Sequence, residues 1–127
     1  YKRYPKNKIF VALEGFSFGS RGRSVFDIGY LGWRIREQLM DLECEYGIQW
    51  ILVPPSSLKK YATGKGNCKK ELVIMNIYKR WGIEFDDNNQ ADAFVLAKIA
   101  QSYFQDDKDI AKFQIEALNG VKGANEK

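Results

Sequence analysis

The chain contains no histidine, which removes the commonest general base near neutral pH and the commonest zinc ligand. Hydrolytic chemistry must therefore run on carboxylates, lysines or a hard cation. Glu14 closes a short apolar run, KIFVALE, that reads as a buried strand. Open α/β sheets place their sites at the carboxyl ends of strands. A carboxylate there faces a cleft, a cation or water, because burying it unpaired is costly. The competing reading is a solvated strand-end glutamate. Asp92 is the second carboxylate. It follows an Asn cap at Asn88 or Asn89, in the first turn of a helix, among Ala91, Ala93, Phe94 and Val95. The helix dipole alone favours an acid there by roughly 0.3–1 kcal/mol. Projected from a packed helix towards Glu14, it would instead be half of a hard-metal site, since Mg2+ takes carboxylate oxygens and supports phosphodiester chemistry without histidine.

Lysines supply the second kind of chemistry. Between Ser56 and Arg80 seven bases (Lys59, Lys60, Lys65, Lys69, Lys70, Lys79 and Arg80) meet one acid, Glu71, for a local charge of +6. Four more bases and no acid lie in residues 1–8, whereas acids gather between Asp86 and Asp92 and in the tail. Clustered bases are the electrostatic footprint of a polyanion; a solvated lysine-rich surface is the alternative. Within the run, TGKGNCKK places Lys69 and Lys70 in the first turn of a helix capped by Asn67, against the dipole. A phosphate docked on the free N–H groups and the lysines would resolve that conflict. The segment is not a Walker A loop, because the glycine required before GK is absent and no Ser or Thr follows. Nucleotide hydrolysis is accordingly disfavoured. In GFSFGSRGR, Phe16 and Phe18 alternate with small residues ahead of Arg21 and Arg23. Such aromatics serve as wedges or stacking platforms beside phosphate-binding arginines, and packing on the next helix explains them equally well.

These residues need elements to hold them. After the Lys8–Glu14 strand and the glycine-rich loop, Ser24 caps a helix running to about Glu45. Val25, Ile28, Leu31, Ile35, Leu39 and Leu42 recur at spacings of three and four and mark one buried face. Gly47 stops this helix, and Gln49–Val53 (QWILV) forms a second buried strand ended by Pro54 and Pro55. Ser56 caps a short helix to about Ala62. The helix after Asn67 carries Leu72, Met75, Ile77 and Trp81 and ends at Gly82. Another starts near Asn88 or Asn89 and runs through Val95, Leu96 and Ile99 to about Tyr103. A weaker helix over Asp107–Leu118 follows, and residues 120–127 read as a frayed tail after a single domain over 1–119. The order is that of an α/β domain with a small parallel sheet. Two strands make a poor sheet. With Tyr1 rather than Met at the start, the expectation is a domain that lacks the beginning of its sheet.

Composition bounds the class. The 127 residues are 45% hydrophobic and 28% charged, enough for one core and too apolar for disorder. No apolar run approaches the roughly 20 residues of a membrane span, and no signal-peptide pattern opens the chain. Cys44 and Cys68 are too few for a disulfide scaffold and suit a reducing compartment.

Three segments together resemble the RuvC-like Holliday junction resolvases of the RNase H-like superfamily, most closely those carried by bacteriophages. They are IFVALEGFSFGSRGRSVFDIGYLG, WILVPPSSLKKYATGKGNCKKELV and the helix start NNQADAFVLAKIA, spanning most of residues 9–100. The resemblance implies an RNase H-like mixed sheet flanked by helices. It also implies a homodimer that cuts two strands of a four-way junction with Mg2+, Mn2+ substituting, in a bacterial or phage-infected host cytoplasm during DNA recombination and repair. By position, Glu14 matches the strand-end metal-binding glutamate and Asp92 the helix aspartate. Lys59 and Lys70 match bases that serve catalysis or hold DNA near the scissile phosphate. Phe16 or Phe18 would intrude at the junction, although the nearest register puts Ser17 there. Arg21, Arg23, Lys60, Lys65 and Lys69 complete the expected DNA-binding set. Two departures stand out. Where the cellular family has another aspartate one turn before the last, this chain has Asn89, a neutral and weaker metal ligand. The family's first strand, with its central aspartate, finds no counterpart before Lys8, so the full gene product is expected to begin with that strand.

The leading expectation is a metal-dependent, structure-selective endodeoxyribonuclease. A non-catalytic DNA-binding module of the same fold is the alternative from another class, favoured by Asn89 and by the expected truncation of the domain. A nuclease for RNA–DNA hybrids or flaps is the third. Homodimerisation through the glycine-containing face of the Val25–Leu42 helix is expected, since two coordinated cuts need two sites.

Overall fold

The computed structural model describes residues 8–15, 23–105 and 109–123, with residues 23–29 and 122 described by their backbone alone. Strand β1 (Phe10–Glu14) runs parallel to β2 (Gln49–Val53), in register from Phe10 opposite Gln49 to Glu14 opposite Val53. Helix α1 (Arg23–Tyr46) lies between them in the chain. Four helices follow: α2 (Pro55–Thr63), α3 (Lys70–Trp81), α4 (Asn88–Gln105) and α5 (Lys112–Asn119). The expected α/β order is present. One element escaped the sequence. Lys122–Gly123 forms a two-residue strand β3, antiparallel to β2 opposite Leu52 and Ile51, giving the order β1-β2-β3. Val121 is buried beside it. The ordered chain therefore continues past residue 119, where the sequence placed a frayed tail; two residues are too short a run to show alternation.

Helix α4 lies against β1 and β2, and α2 packs against α3, α4 and α5. Ile51 and Val53 of β2, Leu58, Tyr61 and Ala62 of α2, Val73 and Ile77 of α3, and Val95 and Ile99 of α4 form the core. Trp50, Ile51 and Val53 of the central strand are buried, with α4 packed on it, and its apolar run is what a buried strand requires. Among the described residues no helix is long and apolar enough to cross a membrane.

Several boundaries move for definable reasons. Pro54, not Ser56, occupies the N-cap of α2 and Pro55 its first helical position, where a missing N–H is harmless. Lys69, not Asn67, sits at the N-cap of α3 without a side-chain cap bond. At α4 the cap is Asp87: its Oδ1 accepts the Asn89 N–H at 2.7 Å and its carbonyl accepts the Ala91 N–H at 3.1 Å. In α3 the buried pair is Val73 and Ile77, while Met75 is exposed.

Helix α1 departs most. Of its expected apolar face, the side chains of Val25 and Ile28 lie outside the described residues. Leu31 is 61% and Ile35 38% exposed, Leu42 is half-buried, and Leu39 alone among the described side chains of the helix is buried. Trp50 Nε1 donates to Glu43 Oε2 at 3.0 Å, tying the last turns of α1 to β2. Periodicity defines which face is apolar but supplies no partner for it.

Candidate functional site

Glu14 is the last residue of β1, held by its pairing with Val53 and by the bond from Gly15 N–H to the Val53 carbonyl at 2.8 Å. Its side chain emerges at the exposed end of the strand. Even so, its carboxyl is raised above the usual glutamate range, first by loss of water and next by the charge of Asp92; Lys59 and then Lys70 oppose the rise. Asp92 is half-buried on α4. Its carboxyl is also raised by loss of water, against the pull of Lys70 and Lys59. Two acids and two lysines, spread over residues 14–92, thus lie within one another's electrostatic reach. The mutual repulsion is felt at Glu14. All four are residues that the sequence singled out.

Each comes from a different element. Glu14 ends β1, Lys59 stands on α2, Lys70 opens α3 and Asp92 projects from α4. With the cap at Asp87, Asp92 is the fifth helical residue and lies in the second turn of α4, not the first. The dipole's influence fades beyond the first turn, so it does not account for an acid there. Lys70 meets the dipole unfavourably at the start of α3, and the two carboxylates compensate it. Among the described residues the ion pairs within 4.0 Å are Arg34–Glu37 and Lys60–Glu116. The lysines at the site therefore soften its charge without closing contact pairs on the acids.

Other expected residues fall elsewhere. Lys60 is not with Lys59; its ammonium lies 3.0 Å from Glu116 Oε2 on α5. This follows from the helical turn of about 100° between neighbours. Lys65 and Lys69 are exposed and line a separate 480 Å³ groove with Cys68, Leu72 and Met75. Asn89 stands one turn before Asp92, exposed, with its backbone N–H on Asp87. Phe16, Ser17, Phe18 and Arg21 lie outside the described residues, and Arg23 is described only as the first residue of α1.

Among the described residues no group of three or more His, Cys, Asp or Glu side chains is placed to hold a metal ion. The pair itself fits a hard divalent cation: its donors are carboxylate oxygens, and its two like charges, short of water, are what such a cation relieves. No protein-family model, curated protein or solved structure matches this chain.

Proposed function

We propose that this chain belongs to a Mg2+-dependent, structure-selective endodeoxyribonuclease that acts on Holliday or other branched DNA junctions through an RNase H-like domain. The carrying observation is that Glu14 and Asp92, 78 positions apart, share one electrostatic environment with Lys59 and Lys70. Glu14 and Asp92 would hold the cation, Mg2+ or Mn2+, through their oxygens, with Asn89 as a neutral ligand from the preceding turn. When bound, the cation supplies Lewis-acid stabilisation of charge on the reacting phosphodiester. Lys59 and Lys70 attract the phosphate to the carboxylates and neutralise the charge that accumulates on its oxygens in the transition state. Exposed Lys65 and Lys69 would extend the basic surface along a strand, and the resemblance would assign Arg21 and Arg23 to the DNA backbone and Phe16 or Phe18 to the junction.

The test is cleavage of a synthetic four-way junction with and without Mg2+, beside a hybrid duplex and a flap. Junction nicking should fall on the order of 100-fold or more in Glu14→Gln and in Asp92→Asn, the scale for losing an electrostatic contact in the transition state. Unchanged nicking in either variant overturns the assignment, and preference for hybrid or flap redirects the substrate. A second reading is favoured by the two-carboxylate site: a DNA-binding module without catalysis. Such a module holds branched DNA equally well with and without divalent cation and cuts none of the three substrates. We further propose a homodimer joined through the exposed face of α1. Sedimentation should give a dimer that Leu31→Ser weakens; a monomer at high concentration removes it.

A further inference from the structure

The second concentration of polar chemistry lies on the other flank of α4, roughly 9–15 Å along the helix axis from Asp92 at 1.5 Å per residue. It is a cavity of about 210 Å³ between α2, α3, α4 and the start of α5. Its inner wall is polar. Of the three buried polar side chains among the described residues, Ser102 and Gln114 both line it, as does the buried Tyr61. They are fixed relative to one another: the Tyr61 hydroxyl and Ser102 Oγ lie 2.6 Å apart, and Gln114 Nε2 donates to the Tyr61 carbonyl at 3.3 Å. The Tyr61 hydroxyl also reaches the Lys98 carbonyl at 3.4 Å, and Gln114 Oε1 accepts the Ala111 N–H at 3.0 Å. The floor of the concavity is thus a bonded polar surface, and a small number of fixed polar groups in a cleft suits a ligand.

The rim adds charge. Arg80 lies with its guanidinium carbon 4.4 Å from the centre of the Phe113 ring, and its Nε donates to the Ala62 carbonyl at 3.4 Å. A guanidinium held by a ring and a backbone carbonyl keeps its terminal amino groups as a preorganised fork, the geometry that suits an oxyanion. Lys98 completes the rim from α4, its ammonium 5.6 Å from the centre of the Phe94 ring. Neither cation is within ion-pair distance of a carboxylate among the described residues. Asp109, the acid on this rim, is engaged in a contact of its own. Among the described lining residues two cations stand beside one acid.

We infer that this cavity is a binding site for a phosphate-type oxyanion, gripped by Arg80 and Lys98 above the hydroxyls of Tyr61 and Ser102. The site is separate from the Glu14–Asp92 cluster and does not depend on the nuclease reading. Its ligand is either a small free phosphate or a phosphodiester of a nucleic-acid strand. Titrating the isotopically labelled chain with inorganic phosphate, and separately with a short DNA duplex, distinguishes the two, with sodium chloride as the ionic-strength control. The Trp81 indole resonance reports the cavity wall. Saturable movement with phosphate, weakened at least about tenfold in Lys98→Met and Arg80→Met as expected for loss of a charge-assisted contact, supports a small free phosphate. The same pattern with duplex alone supports a phosphodiester. No saturable movement with either probe, or movement that Lys98→Met leaves intact, overturns the inference. Lys98→Met is decisive because Arg80 also braces Ala62 and Phe113, and its replacement can disturb the fold.

Discussion

Glu14 and Asp92 oppose each other in the metal-free chain, and that opposition has a sign that can be measured. Both carboxyls are raised by loss of water, Glu14 also by its neighbour, so the folded chain binds their protons more tightly than the unfolded one. A raised carboxyl contributes stability that is fully present below its unfolded value, near 4.5 for Glu14 and 3.8 for Asp92. It is lost as pH climbs through the raised folded value. The metal-free chain is thus expected to lose some stability between pH 4 and pH 7 because of this pair. Glu14→Gln, which carries no charge at either pH, should blunt that loss and match or exceed the parent at pH 7, by about 0.2–1 kcal/mol given the solvent exposure of Glu14. Denaturant melts at the two pH values check it. A parent more stable than Glu14→Gln at pH 7 without metal would contradict the repulsion. Adding Mg2+ at pH 7 should reverse the order, because only the parent offers two carboxylates to the cation. That Glu14, Asp92 and Lys70 seek distant partners was legible in the sequence, because a strand-end acid, an acid beside apolar neighbours and a lysine at a helix start are each locally unfavourable. Lys59, in contrast, was tied to them only through the resemblance. The fate of Lys60 was not legible. Its pairing with Glu116 depends on how α5 packs on α2, which no local pattern encodes.

At the scale of elements, α1 and α4 carry similar apolar periodicity to opposite ends. In α4, Ile99 is fully buried in the main core. In α1, Leu31 is largely exposed. Ile99→Ala should therefore cost about 2–5 kcal/mol, the range for a buried large-to-small change, and draw α4 and Asp92 away from their setting. Leu31→Ala should shift monomer stability by no more than about 0.5 kcal/mol. Urea denaturation at low protein concentration checks both. A large loss in Leu31→Ala there would mean that α1 is covered within one copy, removing the surface assigned to the dimer. Gly82 offers a third check, since it closes α3 at φ +69° with its N–H on the Tyr78 carbonyl. Gly82→Ala should destabilise the chain by roughly 1 kcal/mol for forcing a side chain into the left-handed region. Caps of this kind were readable because glycine declares itself, as at Gly47 and Gly82. The start of α4 near Asn88 was legible, but its cap was not, because Asp87 competes with two asparagines that follow it at once, and all three are good cap residues.

Over the whole molecule the sheet is lopsided. The Ile9 carbonyl accepts from the Gln49 N–H and the Gly15 N–H donates to the Val53 carbonyl, so the odd residues of β1 turn their backbone groups to β2. Those of Phe10, Ala12 and Glu14 therefore turn to the opposite edge, which is unpaired among the described residues. Beside that edge α4 overhangs with Ala93, Leu96, Ala97 and Ala100, enclosing with β1 a groove of about 560 Å³. The sequence anticipated too few strands for a stable sheet, and β3 adds only two residues on the far side. Bare strand edges are rare because each offers a template for another strand. Hydrogen exchange separates an open edge from a covered one, residue by residue. With the edge open, the Ala12 amide should exchange about 100-fold or more faster than those of Val11 and Leu13, which face β2, since unbonded edge amides sit at the low end of the protection scale. Ala12 is read against the two residues flanking it, so the stability of the chain as a whole cancels from the comparison. If Ala12 is protected and the protection fades on dilution, a second copy occupies the edge, and the interface lies along β1 and α4 instead of α1.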